Sequence, residues 1–307
     1  MLPALFLVLF LAASGPGTAR AASQAFFDTW SDGKGEVDTY DLTEERYGEP
    51  RTGNAVMVFV AEELNRNDYV KVESEQTPQS ERMFVIKLNK LYRFPTGIYD
   101  YSVMTTVFSV ADSHLGHHRF QAARLVNTTQ EWCGQVFQRV DLHEDGWHHE
   151  LRSYFEKEAD QENVVEATGT DVEDNLWVWI RELDGEVLAE GESRPLQLIP
   201  SLWELRKTHT KIAARDARIS KGRREKFRTP LGEFDAIPWS WQIEDRTVAV
   251  WVEASGAHRI LGWEDSQGGH ARLVASVRTP YWVAHGNADL EWRTRLALPS
   301  ESVLETP

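Results

Sequence analysis

Residues 129–157, TQEWCGQVFQRVDLHEDGWHHELRSYFEK, decide the fold class of this chain. Asp145-Gly146 is a two-residue turn signal, and apolar and polar positions alternate on both sides of it. With that pair as the turn, His143 faces His148, Asp141 faces Glu150, Val140 faces Leu151 and Arg139 faces Arg152. Trp132, Val136, Val140, Leu142, Trp147, Leu151 and Phe155 then share one face. Glu131, Cys133, Gln135, Arg139, Asp141, Glu150, Arg152 and Glu156 share the other. A one-residue slip would mix the two sets, so the pattern supports its own register. The stretch predicts an antiparallel hairpin with one buried face.

Outward from it, short β-branched and aromatic runs predict strands at 35–42, 54–62, 68–73, 83–94 and 97–110. After it they predict strands at 223–228, 234–243, 247–253, 258–265 and 270–279. Loops are predicted at 47–53 and 74–81, and a tight turn at Pro95-Thr96-Gly97. Helix signals are fewer. Asp171 is placed to cap a helix through Leu183, with Leu176, Trp177 and Ile180 on its apolar side. Ser201 and Glu204 have capping-box spacing, and 205–220 fits a helix or a strand equally. No βαβ alternation is present, which disfavours Rossmann-type and α/β-barrel enzymes. The expected fold is mainly β: a curved antiparallel sheet or open barrel with one or two short helices in the middle. It forms a single β-rich domain over 22–307, divisible into lobes 22–165 and 200–298 joined by a helical segment near 171–184. A disordered tail is expected over 299–307.

The N-terminus carries an address. Met1 to Ala13 are almost wholly apolar, Ser14 to Gly17 break a helix, and Ala19-Arg20-Ala21 is a small-x-small cleavage site. Residues 1–21 therefore predict a cleavable signal peptide, and the mature chain is expected to be exported to the periplasm or beyond the cell. No later stretch approaches the length of a transmembrane helix. Cys133 is the only cysteine, which excludes an intrachain disulfide. The net charge of −15 argues against nucleic acid as a partner. Residues 141–192 are strongly acidic and 206–228 are basic. The basic run reads either as a patch for anionic lipid or polysaccharide, or as a face paired with the acidic region.

Four groups of residues are candidates for chemistry. Cys133, beside Glu131 and Gln135, is a thiol that needs a base to act as a nucleophile, and His143 and His148 lie about 33 Å away at strand rise. His114, His117 and His118, and His143, His148 and His149, are imidazole clusters without the ordered spacing of a zinc site. Asp141 and Glu150 are a facing carboxylate pair of the kind acid–base enzymes use, with Arg139 and Arg152 placed to turn it into a cross-strand salt lattice instead. Among 12 tryptophans, Trp239 and Trp241 stand two apart on one strand face, suited to a ligand surface or to a core. No motif for a metal or a cofactor is present.

The segments DGKGEVDTYDLTEERYGEPRTGNAVMVFVAEEL (32–64), VIKLNKLYRFPTGIYDYSVMTTVFS (85–109), QEWCGQVFQRV (130–140), RSYFEKEADQ (152–161), HRILGWE (258–264) and RTPYWVAHGNAD (278–289) resemble a family of uncharacterised exported bacterial proteins. Some members carry the label septum formation inhibitor Maf; Maf proteins are cytoplasmic α/β nucleotide pyrophosphatases. The segment 229–264, TPLGEFDAIPWSWQIEDRTVAVWVEASGAHRILGWE, is also similar to a broader domain-of-unknown-function family of exported proteins. The resemblance implies an exported, curved antiparallel sheet akin to the lipoprotein-carrier fold, inclines 205–220 toward strand, and supplies no catalytic residues. The expected role is non-enzymatic binding of an apolar or amphipathic ligand, such as a lipid, or of an envelope partner. A secreted hydrolase and a structural scaffold are the alternatives.

Overall fold

A computed structural model describes residues 22–111, 114–115 and 118–299. The expected signal peptide, the tail beyond Pro299 and His117 lie outside the described residues. The described residues start with α1 (Gln24–Trp30) and continue through β1 (Gly35–Arg46), β2 (Glu49–Asn65), β3 (Arg82–Thr96), β4 (Tyr99–Val110), β5 (Ala122–Glu131), β6 (Gly134–His143), β7 (Gly146–Ser153) and β8 (Gln161–Val165). A short β9 (Thr170–Val172) leads straight into α2 (Glu173–Trp179), followed by β10 (Ser193–Ile199) and α3 (Leu202–Thr208). Then come β11 (Arg215–Lys221), β12 (Glu225–Thr229), β13 (Gly232–Ile243), β14 (Arg246–Glu253), β15 (Ile260–Asp265) and β16 (His270–Thr279), and the described chain ends past α4 (Glu291–Arg295).

The protein is mainly β, and these strands form one large, mostly antiparallel sheet that does not close. β1 to β8 run as a meander of neighbours; on the other side of β1 the order is β16, β15, β14, β13, β11, β10, β9, with β12 pairing the first part of β13. β1 pairs with β16, so the ranges 22–165 and 200–298 share one sheet. β9 and β10 are the parallel pair. The two edge strands, β8 and β9, are consecutive in the chain, and the Trp147 indole N–H donates to the Thr170 carbonyl across the seam at 3.2 Å.

The sheet curls because it has something to curl around. Every residue of α2 is buried, including Glu173, Asp174 and Asn175. On one side the Ser109 hydroxyl of β4 bonds the Asn175 side chain at 2.6 Å. On the other, the Trp177 ring meets Trp241 of β13 and Trp263 of β15 edge-on. A helix that offers apolar surface on every side belongs inside a core, and the sheet supplies it by period-two alternation. The outer face of β1 and β2 is covered too. Leu296, after α4, packs on Val37 and Val58, and the Thr39 hydroxyl donates to the Leu296 carbonyl at 2.6 Å.

Several expectations are corrected. The hairpin loop is Glu144-Asp145, so His143 faces Gly146, Asp141 faces His148 and Arg139 faces Glu150. The displacement is two residues, which restores the same faces: Val136, Val140, Leu142, Trp147 and Leu151 are buried as expected. Trp132 is not; it sits in the β5–β6 turn and is 74% exposed. The α2 helix starts after Val172, because the Asp171 carboxylate accepts from the Val172 amide at 2.9 Å rather than capping the helix. Residues 205–220 divide between α3 and β11. The 68–73 stretch makes an isolated bridge from Lys71 to Leu64 in place of a strand. The predicted loop 47–53 shrinks to a Tyr47-Gly48 turn, with Pro50 paired to Glu45 inside the ladder.

Candidate functional site

Three parts of the molecule gather polar chemistry, and they differ in what is left free to act. The first is the polar face of β5 to β8. Arg124 grips Asp141 through two nitrogens at 2.7 and 2.8 Å. Arg139 reaches Asp141 at 3.3 Å and Glu150 at 2.8 Å, and Arg152 joins Glu150 at 3.0 Å to Glu162 at 2.7 Å. Each carboxylate lies between guanidinium groups, which makes this a salt lattice rather than an acid–base pair. It floors an open cleft of about 420 Å³ that is also lined by the His143 and His148 rings, tilted to one another with centroids 4.3 Å apart. His149 points to the buried side, and burial lowers its pKa to about 4. Among the described residues no group of three or more His, Cys, Asp or Glu side chains is placed to hold a metal ion.

Cys133 does not sit on a strand face. It lies in the two-residue turn between β5 and β6, exposed, with its amide donating to the Glu131 carboxylate at 2.5 Å. A hydrogen bond to Glu131 and that residue's negative charge raise the thiol pKa, which opposes thiolate formation. Glu131 and Cys133 are thus near one end of β6, and His143, with the neighbouring His148, is at the other. The sequence-predicted polar set therefore divides in two: Arg139, Asp141, Glu150 and Arg152 converge, and Glu131 and Cys133 stand apart from them. Trp239 and Trp241 do share a face, but it is the core face; each is 1% exposed. Neither is a surface aromatic, because β13 turns that face toward α2.

The second part is the interior. Glu173 accepts from the Trp241 indole at 3.0 Å and the Ser201 amide at 2.8 Å, and is ion-paired to Arg246. Asp174 accepts from Lys90 at 3.2 Å, the Ser201 hydroxyl at 2.9 Å and the Leu202 amide at 2.9 Å. The expected capping box is therefore absent: the Ser201 hydroxyl serves Asp174, and Glu204 pairs with Lys207. These groups ring a cleft of only about 50 Å³, walled by Trp177, Trp203 and Trp263. The basic run pairs with the acidic one, as in Arg206–Glu158 at 2.9 Å and Lys221–Glu182 at 2.7 Å.

Deeper on the same inward face of β1, Glu36 and Asp38 are fully buried with Arg181, whose guanidinium lies 2.8 Å from Glu36. Burial, and then the neighbouring Glu36 charge, raise the Asp38 pKa well above its ordinary value of 3.8. A raised carboxyl pKa gives stability that is complete below the ordinary value and lost as pH rises through the folded value. Asp38→Asn removes that loss. We expect similar melting temperatures for the variant and the wild type at pH 4, and a more stable variant at pH 8, by thermal unfolding at both. A variant less stable at pH 8 would contradict this.

The third part was not anticipated from sequence. An outer groove of about 980 Å³ crosses β1 to β5, with Arg293, Ala297, Leu298 and Pro299 along its wall. Register explains its lining. Asp41, Asn54, Arg93, Ser102 and Gln130 are aligned partners across five strands, forming a polar row. Two residues along each strand, Thr39, Val56 and Leu91 form an adjacent row in the groove that is mostly apolar, and Met104 extends the row on β4 past the groove lining. Leu298 joins the hydrophobic cluster with Val56 and Val58, and Trp132 lines the groove from the β5 side. No family model matches the chain, and no similar curated protein or solved structure was found.

Proposed function

We propose that this is an exported binding protein whose outer groove holds a single-chain amphiphile, its polar end on the Asp41–Gln130 row and its chain along Val56, Leu91 and Leu298. The observation that carries the reading is the pair of parallel rows, one polar and one mostly apolar, on the floor of one groove. Its volume of about 980 Å³ is of the size that small-molecule sites have. The interior is filled by α2, leaving about 50 Å³ in its polar cleft, so the ligand's place is outside the curl of the sheet. Among the described residues no helix is long and apolar enough to cross a membrane. The Asp141/Glu150 face and Cys133 do not favour hydrolysis, because the carboxylates are held by arginines and the thiol pKa is raised.

Native mass spectrometry with lysophosphatidylcholine tests the reading. We expect one bound molecule per wild-type chain. Leu91→Glu, which places a charge in the apolar row, is expected to weaken binding by about tenfold or more. Absence of the wild-type adduct, or equal binding by the variant, would overturn it.

A further inference from the structure

Alternate turns of a meander lie at the same end of the sheet, and at one end here they share a composition. The β1–β2 turn presents Tyr47, 57% exposed; the β3–β4 turn presents Ile98, 83% exposed. The β5–β6 turn presents Trp132 and the residue after β7 is Tyr154, 76% exposed. Two-residue turns need backbone freedom and tolerate polar residues, so nothing in the turn geometry asks for large apolar side chains. The tips are also joined. The Trp132 ring lies 6.4 Å from Tyr99, Tyr99 lies 6.1 Å from Tyr101, and the Tyr47 and Tyr101 hydroxyls are 2.6 Å apart. Two of the tips have a stiff support: Arg46 lies over the Tyr47 ring at 4.3 Å, and Glu131 holds the Trp132-Cys133 turn.

We propose that this aromatic end docks onto a lipid surface with zwitterionic headgroups. Tyrosine and tryptophan rings combine an apolar body with a polar tip, the chemistry that settles at the headgroup level, and Ile98 is the purely apolar element among them. Charge selects the lipid. The chain carries −15 overall, which repels an anionic surface, and the two arginines beside the β1–β2 tip are already engaged, Arg51 with Glu49 at 2.7 Å and Arg46 over the Tyr47 ring at 4.3 Å. The outer groove supports the same partner by continuity, because its lining reaches Pro95, Asp100 and Trp132 at this end. An amphiphile leaving a bilayer on which the tips rest would meet the groove directly.

The lone thiol gives the test a reporter, since Cys133 is exposed within a tip turn. An environment-sensitive fluorophore on Cys133 of the full chain is expected to shift to the blue with phosphatidylcholine vesicles. Cosedimentation of unlabelled protein supplies the affinity. The double variant Ile98→Asn/Trp132→Gln, at two exposed positions, is expected to bind these vesicles at least about tenfold more weakly. Val283→Asn, 59% exposed in the segment after β16, controls for general stickiness and is expected to bind like the wild type. Leu91→Glu should keep vesicle binding while losing lysophosphatidylcholine, which separates failure of the groove from failure of the tips. Absence of wild-type binding, or equal losses in Val283→Asn and the double variant, would overturn the proposal.

Discussion

Arg181→Met is expected to lower the free energy of unfolding by about 3–5 kcal/mol, measured by urea denaturation at neutral pH. Arg181 is fully buried and sits over the Phe59 ring at 4.2 Å, so methionine preserves much of its apolar contact. What it removes is charge and donors. The guanidinium donates to the His258 carbonyl at 2.9 Å and the Ala257 carbonyl at 2.8 Å, and is the cation facing Glu36. The variant leaves two carbonyls and a buried carboxylate without that partner. Arg181→Lys restores a charge but not the planar fork, and is expected to recover only part of the loss. A loss below about 1 kcal/mol for Arg181→Met would mean that the interior tolerates the acids of β1 without a cation.

Glu173→Leu is expected to cost about as much, again about 3–5 kcal/mol. Glu173 is where α2 is tied to the sheet. Its two oxygens collect Trp241 from β13, the Ser201 amide before α3, and Arg246 from β14. The cation raises its own acid's charged fraction: Glu173 has its pKa lowered by Arg246 despite burial, which by itself works in the opposite direction. Leucine fills similar volume but leaves the indole and amide donors unmatched, and Arg246 keeps only Asp265, at 3.0 Å. Glu173→Gln, which retains one acceptor oxygen, is expected to lose less. Unfolding monitored by tryptophan fluorescence gives both values, and a leucine variant as stable as the wild type would remove Glu173 as the anchor of α2.

The strand pattern was legible because it is local. Alternation in 129–157 shows which face is buried, and it survives an error of two residues in register. The error itself has a physical source. Gly146 reads as a central turn residue, but it is the first residue of β7, where glycine is required by a φ of 145° and because a Cβ would meet the Val165 carbonyl oxygen at 2.6 Å as β8 passes alongside. The interior was not legible for the opposite reason. Glu173 and Asp174 look like the acidic first turn of a solvated helix, and their cations Arg246 and Lys90 stand 73 and 84 residues away. The groove also escaped notice, since its rows exist only across strands. Asp41, Arg93 and Gln130 acquire a common line when five strands pair in register. Trp239 and Trp241 show the limit of parity alone, which identifies a shared face but not the side on which α2 lies.

The central claim is that the amphiphile lies on the outer face of β1 to β5 and not within the curl of the sheet. Photocrosslinking with a single-chain phosphocholine carrying a diazirine in its acyl chain tests it most directly. The account predicts labelled peptides from Glu49–Asn65, Arg82–Thr96 and the segment around Leu298, with labelling lost in Leu91→Glu. Labelling confined to α2, β13 or the Arg139–Glu150 face, or unchanged in Leu91→Glu, would contradict it.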